Sequence, residues 1–186
     1  IQTIQVPAPV HAILAARIDR LVPEDKRLLQ MASVVGKDIP FALLQGIAEL
    51  PDETLRSGLD RLQSAEFLYA TGLYPDLEYS FKHALTLEVT YSGLLQERRR
   101  ELHARIVGAI ETLHADRLGG EIERLAHHAL RGELREKAVD YLRQAALKAA
   151  ARSAPDARLS FEQALGVLKA LPATRSTLEQ AFEIRL

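Results

Sequence analysis

The feature that most constrains this chain is a change of period in its apolar residues. From Val10 to about Ser64 they recur at three- and four-residue spacing, the mark of helices with one buried face. Two short β-prone runs follow, Phe67-Leu-Tyr69 and Leu77-Glu-Tyr-Ser-Phe81, with Gly72 and Pro75-Asp76 between them as turn formers. After about His83 only helical spacing returns. Two short strands cannot bury a core by themselves, so a chain of this kind must cover a small hairpin with helices. The expectation is a mostly α fold in which a compact helices–hairpin–helix region (10–95) gives way to amphipathic helices alone, the last of them cut off. That layout reads as an interior piece of a longer multidomain regulator with no complete active site of its own.

The individual signals support this reading. Residues 1–9 alternate weakly (Ile1, Thr3, Gln5) and end in Pro7-Ala-Pro9, which favours extended chain. Val10, Ile13, Leu14, Ile18 and Leu21 share one helical face. Pro23 opens a second helix with Glu24 and Asp25 at its positive end; Leu28, Leu29, Ala32 and Val35 form its stripe, and Gly36 stops it. Pro40 begins a third helix, to about Glu49. Pro51 begins a fourth, with Leu55, Leu59 and Leu62 at core spacing. Three helices and a hairpin are the parts of a winged helix-turn-helix domain, assigned to 22–95 after a preceding helical segment over 1–21. A connecting helix over 96–120 carries Leu102, Ile106, Ile110 and Leu113, and Gly119-Gly120 marks the best internal boundary.

Beyond it, over 121–186, helices are expected near 121–131, 134–153, 155–171 and 175–186. Ala138-x3-Leu142-x2-Ala145 and Ala157-x3-Phe161-x2-Ala164 place small and large residues alike, as tetratricopeptide helices do to bring two backbones close and fill the remaining gap. The copies lie 19 residues apart, against a repeat of about 34, so the expectation is a degenerate, antiparallel, tetratricopeptide-like array.

Several kinds of chemistry are excluded by pattern. Gly36-Lys37 is not a phosphate-binding loop, because Met31 stands where the first glycine is needed and Asp38 where Ser or Thr is needed. There is no Gly-x-Ser-x-Gly elbow, so Ser57, Ser80 and Ser92 are ordinary hydroxyls. Of the six histidines, adjacent His127 and His128 point about 100° apart on a helix and cannot share an ion. His103 and His114 could share a face, but their helix offers no third ligand. No metal site and no catalytic residue are expected. Arg98-Arg99-Arg100 fans around its helix beside Gln96, Glu97 and Glu101, which suits local ion pairs. With 24 basic against 25 acidic residues the chain has no net field to draw it onto nucleic acid or anionic lipid. The stretch 51–66 carries Asp52, Glu53, Asp60 and Glu66 against Arg56 and Arg61, which opposes phosphate and makes DNA an unlikely partner. The absence of cysteine and of any apolar run near the roughly 18 residues of a membrane span fits a cytoplasmic protein.

Three stretches taken in order resemble a known family: Val10-His-Ala-Ile-Leu-Ala-Ala-Arg-Ile-Asp-Arg-Leu21, then Phe81-Lys-His-Ala-Leu85 with Gln96-Glu-Arg-Arg-Arg-Glu-Leu-His103, then Leu125-Ala-His-His-Ala-Leu130. Together they look like the region after the ATPase core of bacterial STAND-type signalling ATPases. The likeness is closest to regulators that join an adenylate/guanylate cyclase domain, a P-loop ATPase module and tetratricopeptide repeats. The resemblance implies a winged helix that packs on an upstream nucleotide-binding module of the same chain, and repeats that receive a signal or a protein partner. It implies ATP/ADP as the cofactor of the parent protein, with none in this segment. It also implies a nucleotide-sensing role for His83, the position that matches a histidine contacting the bound diphosphate in many STAND proteins. From the residues alone His83 reads as a helix-start or core-edge imidazole, and its Phe-Lys-His context departs from the Met-His-Asp triplet of eukaryotic relatives. A winged-helix transcription regulator with a helical effector domain and a free-standing helical adaptor are the alternatives from other classes.

Overall fold

The computed structural model of the protein describes residues 8–72, 77–150 and 153–184. The chain is mostly helical with one small antiparallel sheet, and it divides into two compact units, Ile1–Leu102 and His103–Leu186. The division falls inside one helix, upstream of Gly119-Gly120.

The first unit begins with α1 (Ala8–Asp19), of which Ile18 is buried while Ile13 is 62% exposed. Of the five residues expected to form its apolar face, Ile18 is thus the one buried. Helix α2 (Pro23–Val35) starts as read, with Pro23 in the first turn after an extended Val22 and the acids Glu24 and Asp25 at its positive end. Its stripe of Leu28, Leu29, Ala32 and Val35 is buried throughout, and the helix stops at Gly36, whose N–H donates to the Ala32 carbonyl. Strand β1 (Asp38–Pro40) follows, then α3 (Phe41–Ala48), α4 (Asp52–Ser64), β2 (Leu68–Ala70), β3 (Glu78–Phe81) and α5 (Ala84–Ser92). Helix α4 packs on α2 with Leu55, Leu59 and Leu62 fully buried, each such side chain contributing about 1.5–3 kcal/mol through apolar burial.

Strands β2 and β3 pair antiparallel, with Leu68 opposite Phe81, Tyr69 opposite Ser80 and Ala70 opposite Tyr79. The Pro75-Asp76 turn expected between them lies outside the described residues. The sheet has a third strand that the sequence did not announce: β1 pairs antiparallel with β3, Ile39 opposite Tyr79, giving the order β1-β3-β2. The expected two-stranded hairpin is therefore corrected to three strands. A strand of three residues holds a single buried apolar side chain, Ile39, so it shows no alternation to read. Pro40 is tolerated because β1 is an edge strand, where a missing N–H need not interrupt a ladder.

In the second unit, α6 (Gln96–Leu113) contributes its residues from His103 onward. A single 3-10 turn at Leu118–Gly120 leads to α7 (Ile122–Arg131), α8 (Arg135–Ala150), α9 (Ala154–Leu168) and α10 (Arg175–Glu183). Helix α8 packs on both α7 and α9. Its Lys148, near the end, bonds Glu123 at the start of α7 (2.9 Å), and Arg135 at its start bonds the Ala170 carbonyl just past α9 (3.0 Å). Consecutive helices therefore run antiparallel. Ala138, Leu142, Ala145, Ala157 and Ala164 are buried and Phe161 is half-buried, as the small–large pattern requires. Helix α9 is capped by Ser153, and α10 by a capping box between Thr174 and Thr177. Leu178 and Phe182, one turn apart on α10, form an open apolar stripe, 61% and 64% exposed; Leu186 lies outside the described residues. Among the described residues no helix is long and apolar enough to cross a membrane.

One buried ion pair ties the first unit together. The Asp25 carboxylate, nearly inaccessible, accepts two hydrogen bonds from the Arg61 guanidinium (2.8 and 2.6 Å), which itself is half exposed. The two partners differ in what they lose when separated. Arg61→Ala leaves a carboxylate stranded away from water, whereas Asp25→Ala leaves a guanidinium that water can still reach. Arg61→Ala should therefore lower the urea midpoint by clearly more than Asp25→Ala; equal losses would contradict the asymmetry. Ser80, buried in the central strand, has a hydroxyl with no hydrogen-bond partner among the described residues. Ser80→Ala should be neutral or stabilising by up to about 1 kcal/mol in the same melts; a loss of stability would mean that the hydroxyl is satisfied.

Candidate functional site

His83 occupies the N-cap position of α5 in extended backbone, and its carbonyl accepts from the N–H groups of Thr86 (3.0 Å) and Leu87 (3.4 Å). The backbone thus starts the helix while the imidazole makes no capping bond and stays exposed. Beside it Lys82 donates to Glu66 (2.6 Å). That hydrogen bond, then the Lys82 charge and more weakly Arg17 and His83, hold the Glu66 carboxyl below its ordinary range. Arg17 lies over the Phe67 ring (5.0 Å) and donates to the Ala65 carbonyl (3.1 Å), which fixes α1 on the turn between α4 and β2. A solvent-facing imidazole on a surface of mixed charge can donate a hydrogen bond to an anionic oxygen.

The two bases of α4 are both engaged. Arg56 donates to Asp52 (2.8 Å) and lies over the Phe41 ring (4.3 Å), while Arg61 is held by Asp25. In both cases the hydrogen bond to the acid pushes the guanidinium further toward its charged form. The arginine run on α6 pairs locally, Arg98 with Glu101 (2.9 Å) and Arg100 with Glu97 (3.8 Å). Arg99 turns back to donate to the Leu94 carbonyl (3.0 Å) and covers Tyr91, so it serves the end of α5.

The second unit holds the arrangement that sequence reasoning missed. His103 of α6 and His128 of α7 are each only 2% exposed, and their Nδ1 atoms stand 2.8 Å apart. His127 completes a cluster, its ring centroid 6.0 Å from that of His103 and 5.1 Å from that of His128. By spacing His103 and His114 could share a face; the fold turns His103 into the α6–α7 contact. Burial in an apolar interface pushes His128 far below the ordinary imidazole range, and His103, His127, Arg124 and Arg131 push it the same way. His127, at the rim, is lowered by partial burial and by Arg131. Among the described residues no group of three or more His, Cys, Asp or Glu side chains is arranged to hold a metal ion. A helical period of 3.6 residues places His103 in line with buried Ile106 and Ile110, which was the one available signal that it faces inward.

Between α7 and α9, with α8 as floor, runs a groove of three adjoining compartments. An apolar one of about 330 Å³ is lined by Leu130, Ala138, Gly166 and Val167. A second, about 280 Å³, shares Leu130 and Gln163 with the first and reaches His127. The third, about 300 Å³, shares Glu123, Ala145 and Ser160 with the second. Elsewhere in this unit Glu111 of α6 accepts from Lys137 and Tyr141 of α8. These two bonds outweigh its desolvation and lower its carboxyl, while burial and the bond to Glu111 raise the Tyr141 phenol.

Gly132, just past α7, lies where a Cβ would stand 2.9 Å from the Ala104 backbone nitrogen and 3.1 Å from the His128 carbonyl oxygen. Both neighbours are backbone and cannot swing aside. Gly132→Ala should push α7 from α6 and destabilise the second unit by about 1–3 kcal/mol, read as a lowered thermal midpoint. A midpoint unchanged within error would show that this approach is not tight.

No protein-family model matches the chain. It is 30% identical over 159 residues to an uncharacterized protein of Rhizobium meliloti (strain 1021), an alignment that takes in 83% of this chain and 15% of that protein. The chain thus spans a small part of the length of the relative it matches.

Proposed function

We propose that this chain is a non-catalytic regulatory and protein-interaction segment of a STAND-type signalling ATPase, of the kind joined to an adenylate/guanylate cyclase. The observation that carries the reading is the order of elements in the first unit. The sequence α2-β1-α3-α4-β2-β3, with sheet order β1-β3-β2, has the pattern of a winged helix: a short strand between the first two helices closes a hairpin after the third. The second unit supports the tetratricopeptide-like half of the reading, with antiparallel helices, buried small residues at the repeated positions and a groove between alternate helices. A relative several times longer accords with a segment that works inside a larger protein.

In this reading the first unit docks on the upstream nucleotide-binding module of the same protein, which holds ATP or ADP, and the helical array takes a protein partner. DNA is a poor ligand for α4, because Arg56 and Arg61 are committed to Asp52 and Asp25, and Glu53 and Asp60 add further negative charge to the same stretch. His83 is the nucleotide sensor, its exposed ring donating to a diphosphate oxygen in the closed, ADP-bound state.

Removing that donor shifts the population toward the open state. One charge-assisted hydrogen bond of roughly 1.5–3 kcal/mol corresponds to about a ten- to hundredfold change in that equilibrium. His83→Ala should leave the melting temperature of this segment almost unchanged, since the ring caps nothing, while speeding ADP release from the longer protein. A destabilised segment with unaltered ADP release would remove His83 from the site.

A further inference from the structure

We propose that the Glu66 carboxylate is a resident competitor for the diphosphate: it holds the Lys82 ammonium until a diphosphate oxygen displaces it, and Lys82 then becomes a second ligand beside His83. The competitor role rests on the reading of His83 as the nucleotide sensor and adds to that site a further ligand and a group that must leave. Three elements of the first unit converge here. Arg17 of α1 donates to the Ala65 carbonyl (3.1 Å) and lies over the Phe67 ring (5.0 Å), so its charge is fixed beside the two residues that flank Glu66. Just past β3, the Lys82 N–H donates to the Phe67 carbonyl (3.0 Å) while its ammonium reaches Glu66 (2.6 Å). Cations from two separate elements thus meet around one carboxylate, with the exposed His83 next in the chain.

The backbone of Glu66 is held by the helix end and not by its side chain. Its N–H donates to the Gln63 carbonyl (2.9 Å) and that of Phe67 to the Leu62 carbonyl (3.0 Å), with φ at 62°. These bonds close α4 in the manner that favours glycine at this position. The turn therefore needs no carboxylate, and the side chain can leave Lys82 without disturbing it. The two side chains are open to water, Lys82 41% and Glu66 67% exposed, and an exposed pair is weak. A diphosphate carries more charge and more acceptor oxygens than one carboxylate, and a flexible ammonium with three donors follows it readily. Arg17, whose partners are a carbonyl and a ring, keeps its position and its charge through the exchange. Lys82 above all, with smaller contributions from Arg17 and His83, holds the Glu66 carboxyl below its ordinary range, so it is ionised, and competes, at neutral pH.

The test is a titration of the whole chain with inorganic pyrophosphate at fixed ionic strength, followed through the amide chemical shifts of Glu66, Lys82 and His83. Glu66→Gln, and Glu66→Gly, which suits the left-handed backbone, should bind pyrophosphate about two- to fivefold more tightly. Lys82→Met should bind it about tenfold more weakly. A pair that only fastens the turn would not move affinity in opposite directions. Unchanged affinity in both Glu66 variants, or shifts that bypass Lys82, would overturn the competitor. The sensor reading has a separate readout, ADP release from the longer protein carrying His83→Ala. If release is unaltered there while the Glu66 variants still tighten pyrophosphate, the anion site stands and its assignment to a nucleotide falls. If release quickens while the Glu66 variants change nothing, the sensor stands and the competitor falls.

Discussion

The first unit depends on the apolar stripe of α2. That helix packs against β1, α3, α4 and α5, and its Leu28, Leu29 and Ala32 are almost wholly removed from water. One face of one helix thus sets the position of most other elements, including the strand that brings β3 into register. The fit is closest at α4, where a Cβ on Gly58 would fall 2.8 Å from Leu28 Cδ2. A larger residue there would require the Leu28 side chain to shift, and the same approach brings Arg61 onto Asp25. The ion pair is a consequence of the packing, and it specifies which turn of α4 faces which turn of α2. An apolar stripe alone tolerates sliding; a buried carboxylate with one guanidinium in reach does not.

The second unit follows the same logic with different groups. Its helices bury small residues, Ala126, Ala129, Ala138, Ala145, Ala146 and Ala164, that allow close approach but specify register weakly. Polar contacts between neighbouring helices supply the register: His103 with His128, Tyr141 and Lys137 with Glu111, Lys148 with Glu123. Buried hydroxyls in the first unit behave more simply, as with Thr90, which donates to the Thr86 carbonyl one turn back within α5. Two imidazoles bonded to one another are the most conditional of these contacts, since one ring must donate and the other accept.

The sequence revealed the helices because each core position repeats within its own segment. Leu55, Leu59 and Leu62, or Leu102, Ile106 and Ile110, need no distant partner to declare a face. The hairpin was readable for a similar reason, with aromatic and alternating residues on both sides of turn formers. What escaped detection depends on residues far apart in the chain. β1 exists because Asp38–Pro40 meets Glu78–Ser80, and nothing in three residues states that pairing. Asp25 was read as a helix-start acid, which it is, yet its burial depends on Arg61 thirty-six positions later. Spacing allowed His103 to share a face with His114, whereas its ring partner is twenty-five positions away. His83, readable as a helix-start or core-edge imidazole, is the exposed N-cap of α5, and no spacing within the chain states what an exposed ring meets.

The charges of this protein close largely on one another. Arg56, Arg61, Arg98, Arg158 and Arg175 each meet an acid on the same helix or its neighbour, and the formal net charge is -1. Such short pairs cancel beyond a Debye length of about 8 Å, so little field remains to steer a charged partner from a distance. Its apolar surface lies in the compartment lined by Leu130, Ala138 and Val167 between α7 and α9, and in the open stripe of Leu178 and Phe182 on α10. Recognition through such surfaces acts at contact, through burial and shape, and it raises affinity mainly by slowing dissociation. A partner of the kind proposed above would therefore bind this array with little dependence on salt. Binding would depend instead on how well α7 and α9 are held apart, and α7 is positioned by α6 through His128. The helix that His128 ties to α6 thus also lends Ala126, His127 and Leu130 to the wall of the groove.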